Sequence, residues 1–415
     1  MTNETPLQQL GKRAKRASAA LNRTTDAERN EALRAIAQQL RTDESTILEA
    51  NALDVTRARE KGTDEAVIDR ILLNADRLEG IAEAAEQIAN LANPLGRTIE
   101  QSTHDKGFTI EKVTVPLGVI GMVYEARPNV TVDAAALCLK TGNAVLLRGS
   151  SSALDSNKAL VASIQRALEG VGLTKDAVLL IEDTSYDVAD ELFQMNEYVD
   201  VLIPRGSQQL IQNVIRKATI PVIETGAGNC HMYIDEAADE EMALDLVLNA
   251  KLQRPSVCNA IETVLVHDSA AERFGARLVD ALREKGTELY SNDAFVGADD
   301  DHQVTDWDSE FLREAIRVKR VASLDEALDH IATYSTQHSE AIVTEDREAA
   351  ARFLQEVDAA AVYHNVSTRF TDGFEYGYGA EMGISTQKLH ARGPMGLEAL
   401  TSTKFLIQGN GQTRG

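Results

Sequence analysis

A chain of 415 residues is too long for one simple core and suits two or three domains, and 43% hydrophobic with 26% charged residues is the balance of a soluble globular protein. The formal charge of −23 argues against nucleic-acid binding, which needs a basic face, but allows an anionic small molecule held by local arginines. No apolar run reaches the roughly 18 residues that span a bilayer, and the N-terminal Met1-Thr-Asn-Glu-Thr-Pro lacks a basic region followed by an apolar one. A cytoplasmic protein with no nucleic-acid and no membrane partner is therefore expected. Cys138, Cys230 and Cys258 have no metal-ligand spacing, so neither a disulfide framework nor a metal site is expected. Arginines outnumber lysines 28 to 14, and clusters such as Asp299-Asp300-Asp301 read equally as salt adaptation or as an ordinary acidic surface.

From residue 5 to about 94 the chain is helical in character, rich in Ala, Leu, Glu and Arg, with apolar residues at three- and four-residue intervals and no proline between Pro6 and Pro94. Thr98 to Val115, broken by a Lys106-Gly107 turn, alternates like an exposed two-stranded arm, which needs a partner surface. Strands and helices then alternate: strands at Val119–Tyr124, Ala144–Arg148, Ala177–Ile181, Val199–Ile203 and Pro221–Glu224, with helices at Val130–Lys140, Ser156–Glu169, Ala189–Met195 and Gln208–Ala218. Short apolar strands separated by helices predict βαβ units on a parallel sheet. A second alternation follows, with strands at Thr263–His267, Arg317–Ala322, Ser339–Thr344 and Ala360–Tyr363 and helices at Ala270–Lys285, Leu324–Thr333 and Arg347–Val357. The lone strand Thr403–Ile407 is expected to pair with the arm in a small outlying sheet.

Between the two alternations lies Lys251-Leu-Gln-Arg-Pro-Ser-Val-Cys258-Asn-Ala-Ile-Glu262. Cys258 sits in a polar turn beside Arg254, where a guanidinium and backbone N–H groups favour the thiolate; it is a candidate nucleophile, against the blander reading of a buried structural thiol. No Gly-x-Gly-x-x-Gly follows any strand, so phosphates must be held otherwise. Arg148-Gly-Ser-Ser-Ser152 offers an arginine at a strand end, and Pro204-Arg-Gly-Ser207 opens a helix whose N–H groups face an anion; either is also an ordinary strand-to-helix turn. Glu224, in Glu-Thr-Gly-Ala-Gly, is a candidate base or a capping carboxylate. Asn129 is an oxyanion donor or a helix N-cap, and Glu310 a ribose acceptor or one more surface acid. Cys138 belongs to a core face, and adjacent Cys230 and His231 make a poor metal pair.

Taken in order, a strand leading to Asn129, a strand ending in Arg148, the Gly206-Ser207 turn, Glu224-x-Gly and a lone cysteine 34 residues later resemble the aldehyde dehydrogenase superfamily. Within it, Val123-Tyr-Glu-Ala-Arg-Pro-Asn-Val-Thr-Val-Asp133, Gln253-Arg-Pro-Ser-Val-Cys-Asn259, Ser367-Thr-Arg-Phe-Thr-Asp-Gly373 and Gly383-Ile-Ser-Thr-Gln-Lys-Leu-His-Ala-Arg-Gly-Pro-Met-Gly396 are similar to the γ-glutamyl phosphate reductase family. The resemblance implies an α/β fold of two Rossmann-like domains plus a β oligomerisation arm. It divides the chain into an NADPH-binding domain (1–100 and 117–226), a catalytic domain carrying Cys258 (227–385) and the arm (101–116 and 386–415).

It further implies NADPH-dependent reduction of L-glutamyl 5-phosphate to L-glutamate 5-semialdehyde through a thioester on Cys258, the second step from glutamate to proline. Asn129 would hold the oxyanion; Arg148, Ser150 and Ser151 the adenosine ribose and its 2′-phosphate; Gly206 and Ser207 the cofactor phosphates; Glu310 the nicotinamide ribose. Arg254 would meet the leaving phosphate, and Ser367, Thr368 and Arg369 the glutamyl group. Glu224 departs from the oxidative pattern, and a reductive reaction has no thioester hydrolysis to promote, so it either moves protons or serves the structure. A homo-oligomer and handover of substrate from glutamate 5-kinase complete the expectation. An oxidative NAD-dependent aldehyde dehydrogenase and a non-catalytic nucleotide-binding relative remain alternatives.

Overall fold

Five helices precede the first strand: α1 (Pro6–Leu21), α2 (Asp26–Thr42), α3 (Glu44–Glu60), α4 (Glu65–Ile71) and α5 (Ala75–Asn90). Thr5 and Thr25 begin α1 and α2 with reciprocal capping boxes, and Asn74 caps α5, so local chemistry starts these helices before packing does. The computed structural model describes residues 4–293 and 303–415; the cluster Asp299–Asp301 lies outside the described residues.

The chain divides into two compact units. The first comprises Met1–Glu224, Gly377–Gly383 and Met395–Gly415. After β1 (Thr98–Thr103) and β2 (Thr109–Pro116) it runs β3 (Val119–Tyr124), α6 (Pro128–Lys140), β4 (Ala144–Arg148), α7 (Leu154–Gly170), β5 (Val178–Leu180), α8 (Tyr186–Leu192), β6 (Val201–Arg205) and α9 (Gln208–Lys217). The sheet has the order β5-β4-β3-β6 with every pairing parallel. Its central strand β3 is buried along its whole length, as a strand covered on both faces must be.

The second unit, Thr225–Tyr376 with Ile384–Pro394, runs β7 (Cys230–Ile234), α10 (Glu240–Leu252), β8 (Ile261–His267), α11 (Asp268–Glu284), β9 (Glu288–Tyr290), β10 (Ala315–Val321), α12 (Leu324–Tyr334), β11 (Ser339–Val343), α13 (Arg347–Glu356) and β12 (Ala361–His364). These strands form one parallel sheet in the order β12-β11-β7-β8-β10-β9. A short antiparallel pair, β13 (Ile384–Ser385) and β14 (Gly393–Pro394), follows, and β15 (Thr401–Gln408) is the last strand.

The expected two-stranded arm is present, and β15 completes it by pairing antiparallel with β2 from Thr401↔Pro116 to Gln408↔Thr109. The arm sheet begins at Thr98, and Ile384–Pro394 clusters with the second unit rather than with the arm. The expected strand Pro221–Glu224 is reduced to a single parallel bridge, Val222 to Leu202. Pro221 has no N–H to offer a ladder, and the chain beyond Ile223 leaves the sheet for the glycine-containing turn.

A buried histidine makes the second unit sensitive to acid. His330, on α12, is 4% exposed; its Nδ1 lies 3.3 Å from Lys319 Nζ, and its ring meets Trp307 edge-on at 4.9 Å between centroids. Burial first, then the neighbouring His231 and Lys319, push its pKa from 6.5 down to about 3. Below pH 6.5 the unfolded chain therefore binds a proton that the folded chain refuses, so stability falls as pH falls. This group alone should remove about 2 kcal/mol between pH 6.5 and 5. Urea unfolding of His330→Phe should show that much less loss over the same interval; equal pH dependence of variant and wild type would mean that His330 titrates normally in the fold.

Candidate active site

Cys258 lies in the turn that joins α10 to β8. Asp239 caps α10 by accepting from Met242 N (2.8 Å), Pro255 prevents its continuation past Leu252, and the apolar run from Ile261 starts the strand. The two ends of this turn are tied by a buried ion pair, Lys251 Nζ donating to Glu262 Oε2 at 2.9 Å with both side chains 0% exposed. Burial lowers the pKa of Lys251 and raises that of Glu262, and each partner draws the other back towards its charged form. The turn is thus closed from beneath while Cys258 stays partly exposed above it.

A wall of backbone stands against the Cys258 peptide. A Cβ built on Gly228 would lie 1.5 Å from the Cys258 carbonyl oxygen and 2.9 Å from its Cα, so only glycine fits. The buried Cys230 thiol donates to the same carbonyl oxygen at 3.2 Å. Gly228 N in turn donates to Glu310 Oε1 at 2.7 Å. The segment that presents Glu310 is anchored by Arg317 of β10, whose guanidinium donates to Asp306 O (2.6 Å) and Ser309 O (2.8 Å), and by Asn229 Nδ2 donating to Trp307 O (2.7 Å).

On the other side the turn meets the loop 367–371. Asn259 Nδ2 donates to Thr371 O (2.9 Å) and Arg369 O (3.3 Å), Thr368 Oγ1 donates to Asn259 O (2.7 Å), and Arg369 Nε donates to Gln253 Oε1 (2.9 Å). Thr368 is fully buried and Ser367 nearly so, its hydroxyl accepting from Arg369 N. Of the three loop residues expected to read the glutamyl group, only Arg369 has a side chain that reaches the surface. Arg254 is exposed.

The remaining candidates belong to the first unit. Asn129 is the second residue of α6, with Arg127 at the N-cap position, and its amide donates to Asp133 Oδ2 at 3.1 Å. Arg148, at the end of β4, donates to Thr184 O (2.7 Å), while its Nε is buried with no acceptor. Ser150 caps the short helical turn at Ser151–Ala153 and its hydroxyl meets that of Ser152 at 2.8 Å. Ser207 caps α9; its N donates to Glu125 Oε2 (2.7 Å) and its Oγ to Glu125 Oε1 (2.8 Å). Gly206 leaves room for the same carboxylate, which an added Cβ would meet at 2.7 Å. Glu224 is half-buried at the end of this unit. Cys138 is fully buried in α6 and burial pushes its thiol pKa far up, so it is inert.

Comparison with known proteins decides the family. Residues 2–316 match the sequence pattern of the aldehyde dehydrogenase family. A gamma-glutamyl phosphate reductase of Oceanobacillus iheyensis is 56% identical over 407 residues, 97% of this chain and 98% of its own. The crystal structure of gamma-glutamyl phosphate reductase from Thermotoga maritima matches with a TM-score of 0.95 at 43% identity, covering 99% of this chain and 100% of that one. The chain belongs to the γ-glutamyl phosphate reductase family. An acetylating aldehyde dehydrogenase from Geobacillus thermoglucosidasius, 16% identical with a TM-score of 0.70, shares the fold alone.

As an oxidoreductase of this family the chain takes a nicotinamide cofactor, and the donors of the first unit suit one. Arg148 Nε is left without an acceptor at the end of β4, just before Ser150 and Ser151 in the chain, and the Gly206-Ser207 turn already binds a carboxylate with one N–H and one hydroxyl, the donor set an anionic phosphate oxygen requires.

The two glycines after Glu224 mark a place where another chain or a ligand can come close, and at Gly228 it is the Cys258 backbone that does so. Sequence reasoning missed the parts played by Cys230 and Gln253 and the Lys251–Glu262 pair, which joins residues 11 apart that only the closed turn brings together. Replacing Gly228 by Ala should displace Cys258 and lower turnover at least about a hundredfold, measured as steady-state reduction rate with thermal melting alongside. A folded Gly228→Ala protein with wild-type turnover would show that this wall does not position the nucleophile.

Proposed function

We propose that the protein reduces L-glutamyl 5-phosphate with NADPH to L-glutamate 5-semialdehyde and inorganic phosphate, through a thioester on Cys258. The observation that carries this reading is the partly exposed Cys258 in a turn locked from three sides, within electrostatic reach of the Arg369 guanidinium. The names of the relatives support γ-glutamyl phosphate as the substrate; a place in proline formation from glutamate and a cytoplasmic location belong to the same reading.

Cys258 acts as the nucleophile. Its thiolate attacks the acyl carbonyl carbon; the C–S bond forms, the C–O bond to phosphate breaks, and phosphate leaves with the electron pair. The backbone N–H of Cys258 is assigned to the developing oxyanion, and Asn129, whose amide is lent to Asp133 here, is assigned the same task by family likeness. The nicotinamide, when bound, supplies the hydride that reduces the thioester. Thiolate expulsion then frees the aldehyde and restores Cys258.

For the cofactor, Arg148 with Ser150 and Ser151 is assigned the adenosine ribose and its 2′-phosphate, which favours NADPH because a guanidinium fork fits a phosphate. Gly206 and Ser207 take the bridging phosphates, for which the Glu125 carboxylate has to yield. Glu310 takes the nicotinamide ribose. Glu224 is assigned a proton-moving or supporting task. The arm supports a homo-oligomer: β15 exposes Phe405 (60%) and Ile407 (63%), apolar residues that an edge strand keeps for a partner. Substrate handover from glutamate 5-kinase belongs to the same reading.

Run in reverse, wild-type protein should sustain steady-state reduction of NADP by glutamate semialdehyde only when inorganic phosphate is present, and Cys258→Ala should lower the rate at least about 1,000-fold. Steady oxidation without phosphate would point instead to an oxidative aldehyde dehydrogenase, and an active Cys258→Ala protein would remove the cysteine from the chemistry.

A further inference from the structure

Two arginines beside Cys258 make no ion pair among the described residues. Arg254 precedes Cys258 by four residues, and Arg369 is brought to the same turn through its Nε bond to Gln253 Oε1 at 2.9 Å. Neither has a carboxylate within ion-pair distance among the described residues, although acidic side chains outnumber basic ones 65 to 42. The charges also act on one another. Burial first, then Arg254, lowers the pKa of Arg369, while Cys258 and Asp372 raise it. Two like charges held together in this way favour a shared anion.

The hydrogen bonds around them say which anion. Gln253 occupies only the Nε of Arg369, leaving the two terminal nitrogens of the guanidinium for a ligand. Ser367 and Thr368 are buried, the Ser367 hydroxyl accepting from Arg369 N and the Thr368 hydroxyl donating to Asn259 O, so neither side chain faces a ligand at the surface. A phosphate dianion has oxygens and charge for two guanidiniums, whereas an α-carboxylate satisfies one. Position agrees: the phosphate is joined through oxygen to the carbon that Cys258 attacks, and the α-carboxylate carbon lies four carbons further along the substrate.

We propose that Arg254 and Arg369 together form the subsite for the phosphate group that leaves on acylation of Cys258, with Gln253 as the positioning residue that aims Arg369. The assignment rests on the acyl-phosphate reading above. As the C–O bond breaks, the departing oxygen takes the electron pair and later a proton from water, and the two guanidiniums compensate the charge meanwhile. In reverse they hold inorganic phosphate while its oxygen attacks the thioester carbonyl and displaces the Cys258 thiolate.

The test is the kinetics of phosphate-dependent NADP reduction by glutamate semialdehyde in the full-length protein. Arg254→Gln and Arg369→Gln should each raise the KM for inorganic phosphate about tenfold or more, with the KM for semialdehyde within about twofold of wild type. Gln253→Leu should raise the phosphate KM about threefold, the effect of one neutral hydrogen bond. Should Arg369→Gln fail to fold, Arg369→Lys, which keeps the charge and loses the fork, should still raise the phosphate KM and spare that for semialdehyde. A raised semialdehyde KM with unchanged phosphate KM in the Arg369 variants would place Arg369 on the glutamyl carboxylate and overturn the pair, as would an unchanged phosphate KM in Arg254→Gln. Wild-type turnover without phosphate would overturn the acyl-phosphate reading itself, and the pair would fall with it.

Discussion

The contact between Gly228 and the Cys258 peptide is the constraint on which the second unit's chemistry depends. A side chain there would overlap the Cys258 carbonyl oxygen, so the backbone of the glycine turn can serve as the wall behind Cys258. Everything near the thiol bears on that wall. Cys230 ties the carbonyl, Glu310 ties the amide of Gly228, and Arg317 and Asn229 tie the segment carrying Glu310. The buried Lys251–Glu262 pair fixes the ends of the turn in a medium where an unpaired charge is costly, which makes the closed turn the cheapest way to bury both.

Electrostatics divide the molecule by locality rather than by total charge. The surface is strongly acidic, yet the two places assigned to anions present arginine or backbone donors: Arg148 with the Gly206-Ser207 turn in the first unit, and Arg254 with Arg369 in the second. At Ser207 an internal carboxylate, Glu125, makes both available bonds. The same donors that could hold a cofactor phosphate therefore never stand unsatisfied in the free protein, and an incoming phosphate exchanges one anion for another rather than filling bare N–H groups.

Much of this was legible in the chain. The fold class followed from short apolar strands alternating with helices, and the ends of β3 and β4 coincide with the apolar runs because buried parallel strands are continuous in hydrophobicity. The pairing of the arm with β15 was also readable, since both are alternating segments with no neighbour in sequence. The strand β7 and the helix α10 were not. Cys230-His-Met-Tyr-Ile234 contains residues that read as chemistry rather than as a strand, and α10 carries apolar residues around most of its circumference, which blurs its periodicity. At the site, Cys258 could be singled out from its turn, but the burial of Thr368 and the bond from Glu310 to Gly228 arise from contacts between segments far apart in sequence, and no local pattern encodes them.

The central claim is that Cys258 carries the acyl group. Mixing wild-type protein with NADP and glutamate semialdehyde in the absence of phosphate, and following NADPH absorbance in a stopped-flow instrument, tests it most directly. A thioester that only phosphate discharges predicts a burst of about one NADPH per Cys258 followed by arrest, released on adding phosphate and absent in Cys258→Ala. No burst before phosphate is added, or a burst that survives the loss of Cys258, would contradict it.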